Sequence, residues 1–327
     1  MIYEGKAVLE VGERFALAQA VSHFKPAAST LIGSGDDAAV ISVTDSRFVV
    51  TTDSMVEDRD FRLTFSSGFD LGFKAAATNI ADVAAMGAQP ISLVVALLIK
   101  SDTKVSWLED FAKGLQAALD ELAPSAAIVG GDLAIADQLV IAVTAHGDLQ
   151  GRSPILRSGA KPGDQLAVAG TLGKAAAGLA LLLNEDHTLA ASYPELVSVQ
   201  LRPTPPISLV SRDISATAML DISDSLALDA NRLADASKVS IRISKKDLLG
   251  YVAVLEQAAQ SISSRDGKAV DPMDWILYGG EDHSFLASFP VGQVPAGFRV
   301  IGSVEAGSGV YLDDAPLAAK GWDSVSS

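Results

Sequence analysis

A set of aspartates in this chain sits beside glycine or threonine rather than among other charges. Asp36 and Asp37 follow Gly33-Ser34-Gly35, Asp53 follows Thr51-Thr52, and Asp132 follows Gly130-Gly131. Asp82 falls in a helical stretch, and Asp221 and Asp224 lie in Asp-Ile-Ser-Asp at the start of another. Glycine beside a carboxylate lets the backbone approach a ligand closely, and neighbouring hydroxyls add oxygen donors. Hard cations such as Mg²⁺ take oxygen ligands and often bridge carboxylates to substrate phosphates. As a set, these residues read as a multi-Mg²⁺ phosphate site. Taken singly, each has an ordinary reading. Asp36-Asp37 reads as a turn, Asp221 or Ser223 as a helix N-cap, and Asp82 as a surface residue.

The elements that must carry these residues follow from hydrophobic periodicity. Residues 6–22 predict a helix, and residues 38–43 and 47–52 predict short strands. Residues 69–88 carry a helical period, with Phe73, Ala77, Ile80 and Ala84 on one face and Lys74, Thr78 and Asp82 on another. Ile91–Ile99 predicts a buried strand, Val105–Leu122 a helix, and Ala126–Val129 and Gln138–Ala145 strands. On this reading the acidic residues fall at strand ends. Residues 147–164 are rich in Gly, Pro, Ser and charge, which predicts domains at 1–148 and 149–327. The second half predicts a strand at Gln165–Ala169, a helix at Lys174–Leu183, and a helix near 207–216. A strand near 217–222 and a helix near 224–237 follow, with further strands at Ser240–Ile243, Ser284–Phe289 and Phe298–Val304. Strands and helices mix without a strict βαβ rhythm, which favours α+β.

The chain has 327 residues, 25 Lys+Arg against 40 Asp+Glu, and a formal net charge of −15. That balance argues against nucleic-acid and anionic-membrane partners. Most of the acidic side chains read as solvated surface. Cysteine is absent, which removes disulfides, thiolate metal sites and Cys nucleophiles together. No secretory signal opens the sequence and no apolar run is long enough for a membrane helix, so a soluble cytoplasmic protein is expected. Gly170-Thr171-Leu172-Gly173-Lys174-Ala175 hints at a P-loop, but Val168 stands where the first Gly belongs and Ala175 where Ser or Thr is required. His23, His146, His187 and His283 form no metal motif, and no G-x-S-x-G elbow presents a serine. Arg157 opens a basic loop ending at Asp164, readable as a solvated turn or a phosphate clamp.

In order along nearly the whole chain, several segments together resemble the thiamine-monophosphate kinases. These belong to the superfamily that also holds aminoimidazole-ribonucleotide synthetase and selenophosphate synthetase. The segments are Gly33–Val40, Thr51–Glu57, Asp70–Ala75, Asn79–Ala88, Gly130–Asp132, Arg157–Asp164, Ala218–Asp224 and Gly279–Asp282. The resemblance implies two mixed α/β domains of the aminoimidazole-ribonucleotide synthetase-like type, with the N-terminal sheet at a homodimer interface. It implies that residues 1–148 bind metal and ATP and dimerise, and that 149–327 complete the site. The implied reaction moves the ATP γ-phosphoryl group onto thiamine phosphate, giving thiamine diphosphate and ADP. The resemblance places several Mg²⁺ ions on Asp37, Thr51, Thr52, Asp53, Asp82, Asp132, Asp221 and Asp224, with Asp132 and Asp224 as the catalytic residues. It puts Gly131, Arg157 and Ser223 against ATP, and Glu281 and Trp322 against the thiamine part. An aromatic face beside a cationic thiazolium is a sound cation–π contact; Trp322 also reads as a packing anchor.

Departures from the family pattern gather on the acceptor side. The family's Gly-x-His-Phe becomes Asp58-Arg59-Asp60-Phe61, which leaves Asp60 at an acceptor-contact position. Asp-x-Ser-Asp-Gly becomes Asp221-Ile222-Ser223-Asp224-Ser225, and the Tyr-Glu that follows Gly-Gly-Glu-Asp becomes His283-Ser284. Two other functions stay open at this point. One is an ATP-dependent enzyme of the superfamily with a different acceptor, the other a catalytically inactive or structural metal-binding homologue.

Overall fold

The computed structural model describes residues 5–32, 40–184, 187–210 and 213–322. Asp36, Asp37 and the glycines before them lie outside the described residues. The chain divides into two compact units, Met1–Ala84 with Ala88–Ser153, and Ala85–Gly87 with Pro154–Ser327.

The first unit contains α1 (Val8–Val11), α2 (Glu13–Val21), β1 (Thr30–Ile32), β2 (Val40–Ile41) and β3 (Phe48–Val56). It continues with α3 (Gly68–Ala85), β4 (Gln89–Ile99), α4 (Val105–Leu122), β5 (Ala127–Ile135) and β6 (Val140–Asp148). The helix expected over 6–22 is broken at Gly12, whose φ of 84° leaves the helical region. The main sheet has the order β3-β6-β4-β5, antiparallel except for the β4–β5 pair.

Alternation along the strands sorts this sheet into two unlike faces. Leu93, Val95, Leu97, Leu133, Ile141, Val143 and Ala145 are buried on one face. Helix α3 lies there, since Thr51 and Asp53 of that face bond to its Asp82 and Asn79. The opposite face is half-open: Phe48 and Val50 are 56% and 55% exposed. Helices α3 and α4 touch backbone to backbone at Gly72 and Gly114. A Cβ on either would lie 2.0 Å from a carbonyl oxygen of the other helix, so only glycine fits. Of the polar face expected for α3, Lys74 and Thr78 are buried and Asp82 is half-buried. Thr78 and its neighbour Asn79 donate back to Ala75 O of the same helix, at 3.3 and 2.9 Å.

The second unit contains β7 (Gln165–Ala169), α5 (Lys174–Leu183), α6 (His187–Ala191), α7 (Pro194–Leu201), α8 (Ile207–Val210) and β8 (Ala218–Ile222). Next come α9 (Leu226–Ser237), β9 (Ser240–Ile243), α10 (Lys245–Asp266) and α11 (Pro272–Tyr278). The unit ends with β10 (Ser284–Phe289), β11 (Arg299–Glu305), β12 (Gly309–Leu312) and β13 (Ala315–Pro316). Its sheet runs β13-β12-β9-β11-β7-β10-β8 and is antiparallel except where β12 meets β9. Leu166, Val168, Leu220, Ile222, Leu286 and Ile301 of the sheet form one core with Leu181, Leu233, Leu255 and Ile276 of α5, α9, α10 and α11. Strands β8 and β10 are buried along their whole length, Asp221, Ser284 and Ser288 included. The helix expected near 207–216 is confined to Ile207–Val210 among the described residues.

His146 of β6 stands on the half-open face of the first sheet, 3.2 Å from Ser92 Oγ and beside the Phe48 ring. Burial lowers its pKa below the ordinary 6.5, and a contact with Ser92 offsets part of that. A depressed imidazole is held neutral in the fold while the unfolded chain protonates first. Stability is therefore complete above pH 6.5 and falls as the pH drops from there toward the folded pKa. His146→Gln is expected to flatten that part of a melting-temperature-against-pH curve; an unchanged slope would assign the loss to other groups.

Candidate active site

In the first unit, β3 and α3 bring hydroxyl and carboxylate together. Thr51 Oγ1 donates to Asp82 Oδ2 at 3.0 Å, and Asp53 N donates to Asn79 Oδ1 at 3.2 Å. Asn79 was missed by the sequence reading, and only its place one helical turn before Asp82 could have suggested it. Thr52 points to the other face, where it donates to Val143 O and accepts from Thr144 Oγ1. Asp132 and Gly131 lie inside β5 rather than at a strand end, in register with Ala96 and Val95 of β4. Asp53 likewise lies inside β3. A register shift at Val129 admits the Gly130-Gly131 pair into the strand. Asp132 shares its row with Ala96, Ala142 and Ser54, and so belongs to the half-open face with Thr52. Asp60 closes a turn: its Oδ2 accepts from Val56 N at 2.8 Å.

In the second unit, the segments 221–225, 279–283 and 320–322 converge. Asp221 is buried at the end of β8, with Oδ2 3.4 Å from His283 Nδ1. The N-cap of α9 is neither Asp221 nor Ser223 but Ser225, whose Oγ accepts from Leu228 N at 3.0 Å. Asp224 and Ser225 both donate their N–H to Asp229 Oδ2, at 3.1 and 3.2 Å. Arg232 bridges the two carboxylates, 2.6 Å from Asp224 Oδ2 and 2.6 Å from Asp229 Oδ1. Burial, reinforced by the negative charge of Asp221, pushes the Asp229 pKa up to about 6, while the Ser225 N–H and Arg232 pull the other way. Asp229 and Arg232 also escaped the sequence reading; their spacing of three on one helix was the available signal.

Glu281 hangs on the same turn, its N–H donating to Ser223 O at 2.7 Å, and Trp322 N donates to Asp224 O at 3.1 Å. The fold thus gathers Asp221, Ser223, Asp224, Glu281 and Trp322. Arg157 is exposed, and its carbonyl accepts from Ser237 Oγ at 2.6 Å. Its loop is pinned by Asp164, which accepts from Lys161 N and Thr217 Oγ1.

The P-loop-like segment is settled by Asp282. This fully buried carboxylate accepts from Thr171 Oγ1 and Gly173 N, both at 2.7 Å, and from Ala175 N at 3.4 Å. It occupies the N-terminus of α5, where a phosphate would have to sit. Burial raises its pKa against the pull of those donors.

Among the described residues, no group of three or more His, Asp or Glu side chains is by itself arranged to hold a metal ion. The candidate donors themselves are all oxygen: Thr51 and Asp82, which meet in one unit, and Asp221 and Asp224, held in the segment 221–225 of the other by His283 and Arg232. That chemistry suits a hard cation that keeps some positions for water and phosphate.

Two mixed sheets bearing oxygen donors on these segments define a protein of the aminoimidazole-ribonucleotide synthetase-like class. The family model of the AIR synthase related protein N-terminal domain matches residues 35–149. The thiamine-monophosphate kinase of Mycobacterium tuberculosis is 40% identical over 325 residues, 98% of this chain and 94% of that one. The chain belongs to the thiamine-monophosphate kinase family, and it is a kinase. The crystal structure of the thiamine-monophosphate kinase from Stenotrophomonas maltophilia K279a matches with a TM-score of 0.76 and 30% identity, over 93% of this chain and 96% of its own. AaThiL complexed with AMPPCP and TMP matches with a TM-score of 0.73 and 28% identity, over 96% and 97%.

Asp282→Ala would strand the donors of Thr171 and Gly173 and leave the α5 N-terminus uncapped. A loss of roughly 3 kcal/mol is expected in urea unfolding, with Asp282→Asn milder. A change below about 0.5 kcal/mol would show that water replaces the carboxylate there.

Proposed function

We propose that this enzyme transfers the γ-phosphoryl group of ATP to thiamine phosphate by direct in-line displacement. A terminal oxygen of thiamine phosphate forms the new P–O bond as the bridging β–γ P–O bond breaks, releasing ADP and thiamine diphosphate. The observation that carries the reading is the convergence of Asp221, Asp224, Glu281 and Trp322 on one turn in a chain 40% identical to a thiamine-monophosphate kinase. The AaThiL complex with AMPPCP and TMP supports the same pair of substrates.

The attacking oxygen is largely ionised at neutral pH, so no protein nucleophile is needed and little is asked of a general base. Mg²⁺ bound by the carboxylates would offset the repulsion between the two phosphate-bearing substrates and the charge on the transferring group. The residues proposed to hold the several Mg²⁺ ions are Thr51, Asp53 and Asp82 on the α3 side of the first sheet, Thr52 and Asp132 on its half-open face, Asp221 and Asp224 in the second unit, and Asp37. Asn79 keeps the Asp53 backbone fixed and Arg232 keeps Asp224 oriented. Gly131, Arg157 and Ser223 are proposed to contact ATP. Glu281, Trp322 and Asp60 are proposed to face the acceptor. The reaction is placed in the cytoplasm, where ATP is supplied.

Homodimerisation through the half-open face of the first sheet is part of this proposal. Phe48 and Val50 are more exposed there than residues of their kind usually are. Thr52 and Asp132 share that face, so pairing would set them against the partner copy.

ADP release should be strong with thiamine phosphate and near background with thiamine or with no acceptor. ATP binding without turnover on any acceptor would favour an inactive homologue. Asp132→Asn is expected to lower kcat by about two orders of magnitude or more with the fold intact; near-wild-type activity and Mg²⁺ dependence would remove Asp132 from the metal set. Val50→Glu should shift sedimentation toward the monomer and lower activity with it. A fully active monomer would overturn the role of that face.

A further inference from the structure

Ser225 is completely buried, with 0% of its surface exposed, and its hydroxyl has two partners. Oγ accepts from Leu228 N at 3.0 Å, which caps α9, and donates to Lys320 O at 2.6 Å. The second bond reaches 95 residues along the chain. Next to it, Trp322 N donates to Asp224 O at 3.1 Å. Two consecutive residues therefore hold two points of the terminal segment, on either side of Gly321. That glycine is pressed against the same turn: a Cβ there would lie 2.6 Å from Ser225 Oγ and 2.7 Å from Asp224 O. Lys320 adds a third attachment, its Nζ 5.7 Å from the centre of the Tyr278 ring at the end of α11.

We propose that Ser225 is a positioning residue for the acceptor, acting through the Lys320–Trp322 segment. A cap needs only the accepting lone pair of the hydroxyl. The donated proton goes to the backbone of the segment that carries Trp322. Glu281 hangs on Ser223 O in the same turn, so the two acceptor-side residues and the Asp224 carboxylate share one support. Losing the bond to Lys320 O removes one of the segment's attachments to this turn and lets the Trp322 ring drift from the acceptor. The residues proposed to contact ATP, Gly131, Arg157 and Ser223, are not partners in this bond. The inference rests on the acceptor role proposed for Trp322 and Glu281.

The test uses full-length Ser225→Ala, Trp322→Ala and the double variant. Ser225→Ala is expected to raise KM for thiamine phosphate about tenfold, the effect of one net hydrogen bond, with KM for ATP within about twofold. The double variant should match Trp322→Ala in KM for thiamine phosphate, because both changes act through one side chain. Hydrogen exchange at Gly321 and Trp322 should quicken in Ser225→Ala while β10 stays protected. Additive effects, equal rises in both KM values, or unchanged exchange at Trp322 would each overturn the proposal and leave Ser225 as a helix cap only. The exchange measurement needs no turnover. Faster exchange in a protein inactive on thiamine phosphate would uphold the tether and sink the acceptor reading.

Discussion

Carboxylates brought close together repel one another, and burial strips away the water that would otherwise offset their charge. The second unit gathers Asp221, Asp224 and Asp229 within one helix start, and everything around them answers that cost. Asp229 takes two backbone N–H groups and one edge of the Arg232 guanidinium. Its pKa still rises to about 6, so the donors do not fully compensate for burial and for the Asp221 charge. Arg232 is shared with Asp224, which fixes that carboxylate without burying it. The start of α9 therefore keeps a buried carboxylate, Asp229, whose charge its donors offset only in part.

Apart from Asp221, which is buried beside His283, the aspartates of these segments divide into two kinds by their partners. Asp148, Asp164, Asp229 and Asp282 are buried and accept bonds from backbone N–H groups or hydroxyls. These hold turns and helix starts. Asp53 and Asp132 are exposed, and Asp224 is held from one side only. The first kind makes the second possible. Asp282 fixes the loop before α5 and, through its neighbours Gly280 and Glu281, the approach to Ser223. The excess of acidic residues in this chain is therefore more than solvated surface, since several of them hold turns and helix starts.

Much of the fold is legible in the sequence where burial is complete. Strand β7 and helix α5 coincide with their expected limits, because an unbroken apolar run and a Gly-Lys start leave few alternatives. The sequence pattern puts Asp53 and Asp132 at strand ends, whereas both lie inside strands. Glycine pairs and polar residues lower strand propensity locally, but nine residues of β6 pair with β3 regardless, and β4 carries β5 through its irregularity. Helix α10 was not anticipated at all. Its buried residues, Leu248, Leu255, Ala258, Ala259 and Ile262, are widely spaced or small, and a weak stripe of that kind is hard to see among its polar neighbours. The site segments were visible as motifs. The partners of their carboxylates were not, since Asn79, Asp229 and Arg232 acquire meaning only when the chain has folded back on itself.

Gly279–His283 shows why neighbouring acidic residues in a sequence cannot be ranked by type alone. Glu281 and His283 both adopt left-handed backbone conformations, at φ 72° and 48°, which cost energy for residues with a Cβ. Such conformations persist where the surroundings over-determine them. Here His283 N is bonded to the last residue of β8 and Glu281 N to the turn after it, and the residue between them, Asp282, is locked by donors from three positions of the α5 start. The alternation sends Asp282 into the core and leaves Glu281 at the turn that carries Asp224. Two adjacent carboxylates are thereby given different places, one locked beneath the loop and the other left at the turn that carries Asp224.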